Sequence, residues 1–318
     1  MHDEAAAFAH VEAMLWQDGP VCPRCGVVGN AYVLSGVRSK PSKKNPEGVE
    51  RHGLKKCKDC SKQFTVRKDT IFEESHIPLH KWLQAIFLMT SSKKGISSNQ
   101  LHRTLGITLK SAWFLSHRVR EAMRDGDLTP FGADGGFVEV DETFIGNDKD
   151  VIKAKAPKGH KKPRSAVHKF KVLSLVDRET GRARSIVVDD LKQSTLGPIL
   201  RENIVREATL MTDELGVYKG IGKSFAEHHR VRHGMGEYVN RKNPEIHTNT
   251  IEGYFSIFKR GMKGVYQHCA KRHLHRYAAE FEFRYNHRVG NGFDDLMRAS
   301  RVLIAASGKR LTYRDSFA

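Results

Sequence analysis

Phe137-Val138-Glu139-Val140-Asp141-Glu142-Thr143 alternates apolar and acidic side chains with the period of two that an extended chain imposes. The alternation predicts a strand over 137–145 with Val138 and Val140 on a packing face and Glu139 and Asp141 on a face that carries acid. A Gly-rich break at 132–136 precedes the strand, and the lysine-rich insert 147–171, with nine Lys or Arg, follows it. Beyond the insert, 172–177 and 184–188 read as a hairpin around Glu179-Thr180-Gly181, 193–208 as a helix, and 209–212 as a short buried strand. The resulting β-β-β-α-β order predicts an α/β domain. Further helices are expected over 250–262 and 271–288, where Phe281, Phe283 and Tyr285 read as packing residues.

Two more acids join Asp141. Asp213 ends the apolar run Leu210-Met211-Thr212, where a core strand emerges into solvent. Glu252 sits on a helix with Ile251, Phe255 and Phe258 to pack inward, and Lys259 lies two turns along the same face. A lone acid is ordinarily a solvated surface group, but carboxylates at the ends of several elements form a site for hard divalent cations, Mg²⁺ or Mn²⁺. Such ion pairs serve in-line displacement at phosphorus. Glu139 and Glu142 are lesser candidates.

The charge balance agrees with that chemistry. The 318 residues hold 54 Lys plus Arg against 36 Asp plus Glu, a net charge of +18, which calls for a polyanionic partner and favours DNA over an anionic membrane surface. With 39% hydrophobic and 28% charged residues the chain is neither disordered nor fibrous. Its longest apolar runs fall short of the roughly 18 to 20 residues that cross a bilayer. The first residues are acidic rather than signal-like, so a cytoplasmic, nucleoid-associated location is expected.

Upstream, residues 1–20 have the spacing of a short amphipathic helix ending at Gly19-Pro20. Cys22-Pro23-Arg24-Cys25-Gly26 and Cys57-Lys58-Asp59-Cys60 are two C-x-x-C knuckles, the pattern of a structural Cys₄ zinc site. Cys269 stands apart and reads as a small buried hydrophobe. Between 78 and 124, one helix starts at Pro78, a second is capped by Ser97 or Ser98, Gly106 makes a turn, and Thr108 caps a third. This reads as a helix-turn-helix with Lys110, Ser111, His117, Arg118 and Arg120 facing outward toward DNA. In the insert, Lys161, Lys162 and Arg164 are expected to track phosphates.

The motifs V-E-V-D-E-T-F-I-G (138–146), L-M-T-D-E (210–214), N-T-I-E-G-Y-F-S-I-F-K-R-G (249–261) and H-L-H-R-Y-A-A-E-F-E-F-R-Y-N-H-R (273–288) resemble those of bacterial insertion-sequence transposases. That family joins an N-terminal zinc ribbon to a DDE-type RNase H-like domain and is akin to Merlin-type elements. The resemblance runs from Cys22 to about Arg288. It implies that Asp141 and Asp213 are the first two catalytic acids, that Glu252 or Asn249 is the third group, and that Lys259 and Arg260 meet DNA. It also implies Mg²⁺ or Mn²⁺ at the acids, Zn²⁺ at the cysteines, binding of terminal inverted repeats and target DNA, and a homodimer or larger complex. The expected partition is 1–70 for the helix and ribbon, 71–130 for the helix-turn-helix, 131–290 for the catalytic domain and 291–318 for a tail. Two other readings fit the same residues: a non-catalytic zinc-ribbon regulator, and an RNase H-like nuclease that cuts without joining.

Overall fold

The computed structural model describes residues 3–43, 45–124, 126–147, 168–236, 239–240 and 242–312. Two compact units divide the chain: Met1–Met123 together with Asp294–Ala318, and Arg124–Phe293. Lys161, Lys162 and Arg164, with the rest of the basic stretch 148–167, lie outside the described residues.

The first unit begins with α1 (Glu4–Leu15), capped by the Asp3 carboxylate, which accepts from the Ala5 and Ala6 N–H groups. A three-stranded antiparallel sheet follows, β1 (Ala31–Val33), β2 (Lys55–Cys57) and β3 (Gln63–Phe64), in the order β1-β2-β3. Strand β2 escapes a pattern search because Lys55 stands in it, its stem buried and its ammonium 2.6 Å from Glu12. Next come α2 (Leu79–Ser91), α3 (Ser98–Leu105) and α4 (Leu109–Met123). Pro78 offers α2 no capping side chain, and Glu4 of α1 does so instead, accepting from the Leu79 and His80 N–H groups at 2.7 and 3.1 Å. Ser97 caps α3, and Gly106 ends it in the left-handed region at φ 59°.

The second unit is built on a five-stranded mixed sheet of order β6-β5-β4-β7-β8. Its central strand is β4 (Phe137–Ile145), antiparallel to β5 (Phe170–Asp177), which pairs with β6 (Ala183–Val188). On the other side of β4, β7 (Thr209–Thr212) runs parallel to it, followed by β8 (Glu227–Arg230). Helix α5 (Gln193–Asn203) crosses between β6 and β7, and a single helical turn, α6 (Tyr218–Ile221), follows β7. Helices α7 (Asn249–Gly261) and α8 (Lys271–Asn286) complete the unit.

Both faces of the sheet are packed, so the acid-bearing face of β4 is covered as well. Val138, Val140, Leu173 and Leu175 meet Leu196, Leu200 and Tyr218 on one side. Val172, Val176 and Ala183 meet Ile251, Phe255 and Phe258 of α7 and Leu274 and Phe281 of α8 on the other. Each such buried side chain stabilises the fold by about 1.5 to 3 kcal/mol.

The segment expected to be a tail contains α9 (Asp295–Ile304), which packs against α2, α1 and α4 in the first unit. This return corrects the reading of α4. His117, Arg118 and Arg120 are buried rather than outward. The Arg118 guanidinium donates to the carbonyls of Ile71, Glu73 and Leu311, so it fastens three stretches of backbone together and does not face DNA. Lys110 remains exposed, and Ser111 is half-buried with its hydroxyl accepting from Thr108.

Among the described residues, no helix is long and apolar enough to cross a membrane.

Candidate active site

The register that pairs Val140 with Thr212 sets Asp213 abreast of Asp141, just past the last pairing of β7 with β4. Because the ladder stops there, the edge of β4 is open and Glu142 also reaches the spot, although it alternates in direction with Asp141. Asp141, Glu142 and Asp213 each place a carboxylate oxygen within 4.8 Å of the others. Local bonds orient them: Asp141 Oδ1 accepts from the Glu142 N–H at 2.7 Å, Asp213 Oδ1 from the Leu215 N–H at 2.9 Å, and Glu142 Oε2 from the Tyr218 hydroxyl at 2.7 Å.

Three like charges in one half-buried place repel. Burial, then the charges of Glu142, Asp213 and Glu252, push the Asp141 carboxyl up to about 8. Burial also lifts Glu142 to about 7, against the pull of the Tyr218 hydroxyl and with the charge of Asp213 adding to the lift. Burial and the Glu142 charge raise Tyr218 well above its ordinary range. A cluster of oxygens that resists ionisation by itself accommodates hard divalent cations, whose charge reverses the repulsion.

Glu252 lies in the first turn of α7, half-buried, and acts on Asp141 through its charge without joining the tight group. Asn249, exposed, is the first residue of that helix, with its N–H 3.3 Å from His247 Nδ1. Lys259 is half-buried with its ammonium 5.6 Å over the Phe255 ring. It shares with Lys169 and Lys263 the lining of a cavity of about 440 Å³ at the end of β4. Arg260 is exposed, its guanidinium donating to the Ser256 carbonyl. Glu139, a lesser sequence candidate, is fully buried and bonded to Arg178 and to the Ile251 N–H, away from any ligand role. Tyr218 carries no sequence signal, since an isolated tyrosine in a short helical turn is ordinarily core.

In the first unit the four cysteine sulfurs Cys22, Cys25, Cys57 and Cys60 also lie within 4.8 Å of one another. The Cys22–Cys60 and Cys25–Cys57 separations are 3.6 and 3.7 Å, close to the edge of about 3.8 Å of a tetrahedron with Zn–S bonds of about 2.3 Å. The residue after each knuckle adopts the left-handed conformation, Gly26 at φ 73° and Ser61 at φ 56°, which turns the chain back over the thiolates. Burial raises the Cys22 thiol, but hydrogen bonds from the Arg24 and Cys25 N–H groups and from the Cys25 and Cys60 thiols together bring it down to about 7. The donor set and its spacing fit zinc.

Residues 134–286 match the ISXO2-like transposase domain, and residues 2–63 match the transposase zinc-ribbon domain. The chain belongs to the insertion-sequence transposases. The transposase is also similar to an uncharacterized protein in transposable element ISH50 of Halobacterium salinarum. The two are 26% identical over 282 residues, covering 85% of this chain and 86% of that one. A solved intasome of simian T-cell lymphotropic virus, in complex with the PP2A regulatory subunit B56 gamma, aligns with 63% of the transposase and 65% of its own chain. Its identity is 12% and its TM-score 0.28, too low to bear on fold or function. The mixed sheet of the transposase, with β4 at its centre, is the RNase H-like frame of the DDE group, and the cysteine cluster is its zinc ribbon.

Proposed function

We propose that this transposase binds the terminal inverted repeats of its own element, nicks their 3′ ends with water, and joins the freed 3′-OH groups to target DNA. Both steps are in-line displacements at phosphorus. In the first, water adds to phosphorus as the strand's 3′ oxygen leaves. In the second, the 3′ oxygen adds and the target strand's own 3′ oxygen leaves. The observation that carries this reading is the convergence of Asp141, Glu142 and Asp213 at the open end of β4 and β7, with the charge of Glu252 beside them.

Asp141 and Asp213 are assigned as ligands of Mg²⁺ or Mn²⁺, with Glu252 completing the set, Glu142 as a further oxygen donor and Asn249 as the alternative third group or a DNA contact. When bound, the ions supply charge to the attacking and leaving oxygens. The chain's own contribution is positional. Tyr218 holds Glu142 in place, the Leu215 N–H fixes Asp213, and the strand register sets Asp141 against Asp213. Lys259 is assigned to grip a phosphate near the scissile bond, and Arg260 and Lys110 to meet the backbone of the DNA. Lys161, Lys162 and Arg164 are assigned to phosphate tracking from the sequence alone. Joining two ends calls for at least two active sites, hence a homodimer or larger complex.

The test is a cleavage and joining assay on labelled DNA carrying the element's inverted repeats, with Mg²⁺ or Mn²⁺. Joined products lost in Asp141→Asn and Asp213→Asn support the transposase. Cleavage without joining points to a nuclease, and end binding unaffected by either substitution, without cleavage, points to a regulator.

A further inference from the structure

Glu139 lies two residues before Asp141 on the same face of β4 and is completely buried. A buried carboxylate is expensive unless every oxygen is bonded, and here both are. Oε1 accepts from Arg178 Nε at 2.6 Å, and Oε2 accepts from the Ile251 N–H at 2.8 Å. Ile251 stands in the first turn of α7, immediately before Glu252, and Thr248, the N-cap residue of that helix, makes no side-chain cap. Glu139 therefore serves as the missing cap from another element, where an anion is favoured by the exposed N–H groups and the helix dipole. Arg178 extends the clamp to the segment leading into α7: its guanidinium donates to the carbonyls of Glu245 and His247 at 2.6 and 2.7 Å. His247 Nδ1 lies 3.3 Å from Glu139.

We infer that Glu139 is a positioning residue that locks the start of α7 to β4 and so fixes Glu252 relative to Asp141. This rests on the proposed assignment of Asp141 and Glu252 to a divalent-cation site. The geometry is direct: one end of the clamp is two strand residues from Asp141, and the other is one residue from Glu252. A strand step pair spans about 7 Å and is rigid within the sheet, so a small tilt of α7 moves Glu252 against a fixed Asp141. Removing the clamp leaves both acids in the chain but loosens the spacing between them.

The experiment measures Mn²⁺ binding by calorimetry on the full chain, together with Mn²⁺-dependent cleavage of end DNA, for wild type, Glu139→Gln, Glu139→Asp, Glu252→Gln and Glu139→Gln/Glu252→Gln. Supporting groups around metal ligands typically change affinity or activity by about 10 to 100-fold. The expected result is a loss of about tenfold or more in Mn²⁺ affinity and in kcat for both Glu139 variants, with KM for DNA unchanged. In the Glu252→Gln background the added Glu139→Gln substitution should have no further effect on Mn²⁺ affinity. Glu139→Asp keeps the charge opposite Arg178 and so tests the clamp's reach if the amide variant does not fold. Wild-type Mn²⁺ affinity in the Glu139 variants, or full additivity in the double variant, overturns the inference while leaving the transposase reading intact. A wild-type chain that binds Mn²⁺ but neither cleaves nor joins removes that reading and leaves the binding arm to decide the clamp. A wild-type chain that binds no Mn²⁺ at the acids overturns both.

Discussion

Asp141→Asn should stabilise the protein when no divalent metal is present, by an amount that grows as pH rises from about 4 to 8. In the folded chain the carboxyl titrates at about 8, against 3.8 for an ordinary aspartate, because burial and three neighbouring acids oppose its charge. Between those values the folded state holds a proton that the unfolded state has released. The contribution is therefore fully present below pH 3.8 and is lost as pH rises through 8. Across that window each pH unit is worth about 1.4 kcal/mol, so raising the pH from 5 to 8 would cost about 4 kcal/mol if Asp141 carried the whole effect. Glu142 and Asp213 share the repulsion and water reaches the half-buried cluster, which reduces the expected gain from the amide to about 1 to 3 kcal/mol. For a unit of this size that is a rise of roughly 2 to 10 °C in Tm. Thermal unfolding in chelator at pH 5 and pH 8 is the assay, repeated with Mn²⁺, which should raise the wild type above the variant. A variant that melts at or below the wild type at pH 8, or by the same difference at both pH values, refutes the account of a metal-ready acid cluster.

Tyr218→Phe removes the hydroxyl that lowers Glu142, so the Glu142 carboxyl should titrate above about 7 and the pH midpoint of Mn²⁺ binding should move up, read by calorimetry across pH 6 to 9. Zinc content should approach one ion per chain after metal-free dialysis, and Cys57→Ser should abolish it and expose the ribbon to proteolysis, measured by elemental analysis and limited digestion. Arg118→Ala strands three buried carbonyls and should cost about 3 to 5 kcal/mol in denaturant unfolding. Lys110→Ala should leave stability within about 0.5 kcal/mol and lower the salt slope of DNA binding by about one ion, measured by titration at several salt concentrations.

The parts of this fold legible in the sequence are those in which local chemistry and tertiary role coincide. The β4 alternation, the two cysteine knuckles, Ser97 and Gly106 at the ends of α3, and the strand ending before Asp213 all state their structure within a few residues. Strand β8 does not, because Glu227-His228-His229-Arg230 is a polar edge strand with no buried alternation. His117, Arg118 and Arg120 mislead because charge suggests exposure, whereas the groups that satisfy Arg118 come from Ile71, Glu73 and Leu311, remote in sequence. In the candidate site, Asp141 and Asp213 follow from strand placement. The arrival of Glu142 depends on where the β4–β7 ladder stops, and the role of Glu139 on an N–H group 112 residues away. Neither is a local property.

The return of α9 to the first unit has a consequence for synthesis. A ribosome releases the ribbon and α2 to α4 first, then all of Arg124–Phe293, and only afterwards the helix that covers α2 and the Leu311 carbonyl that holds Arg118. The unit placed at the start of the chain is thus finished last, and a product that stops near residue 293 carries the acid cluster without a completed first unit. On the proposed reading, a fragment that stops there should bind DNA more weakly than the chain that includes α9.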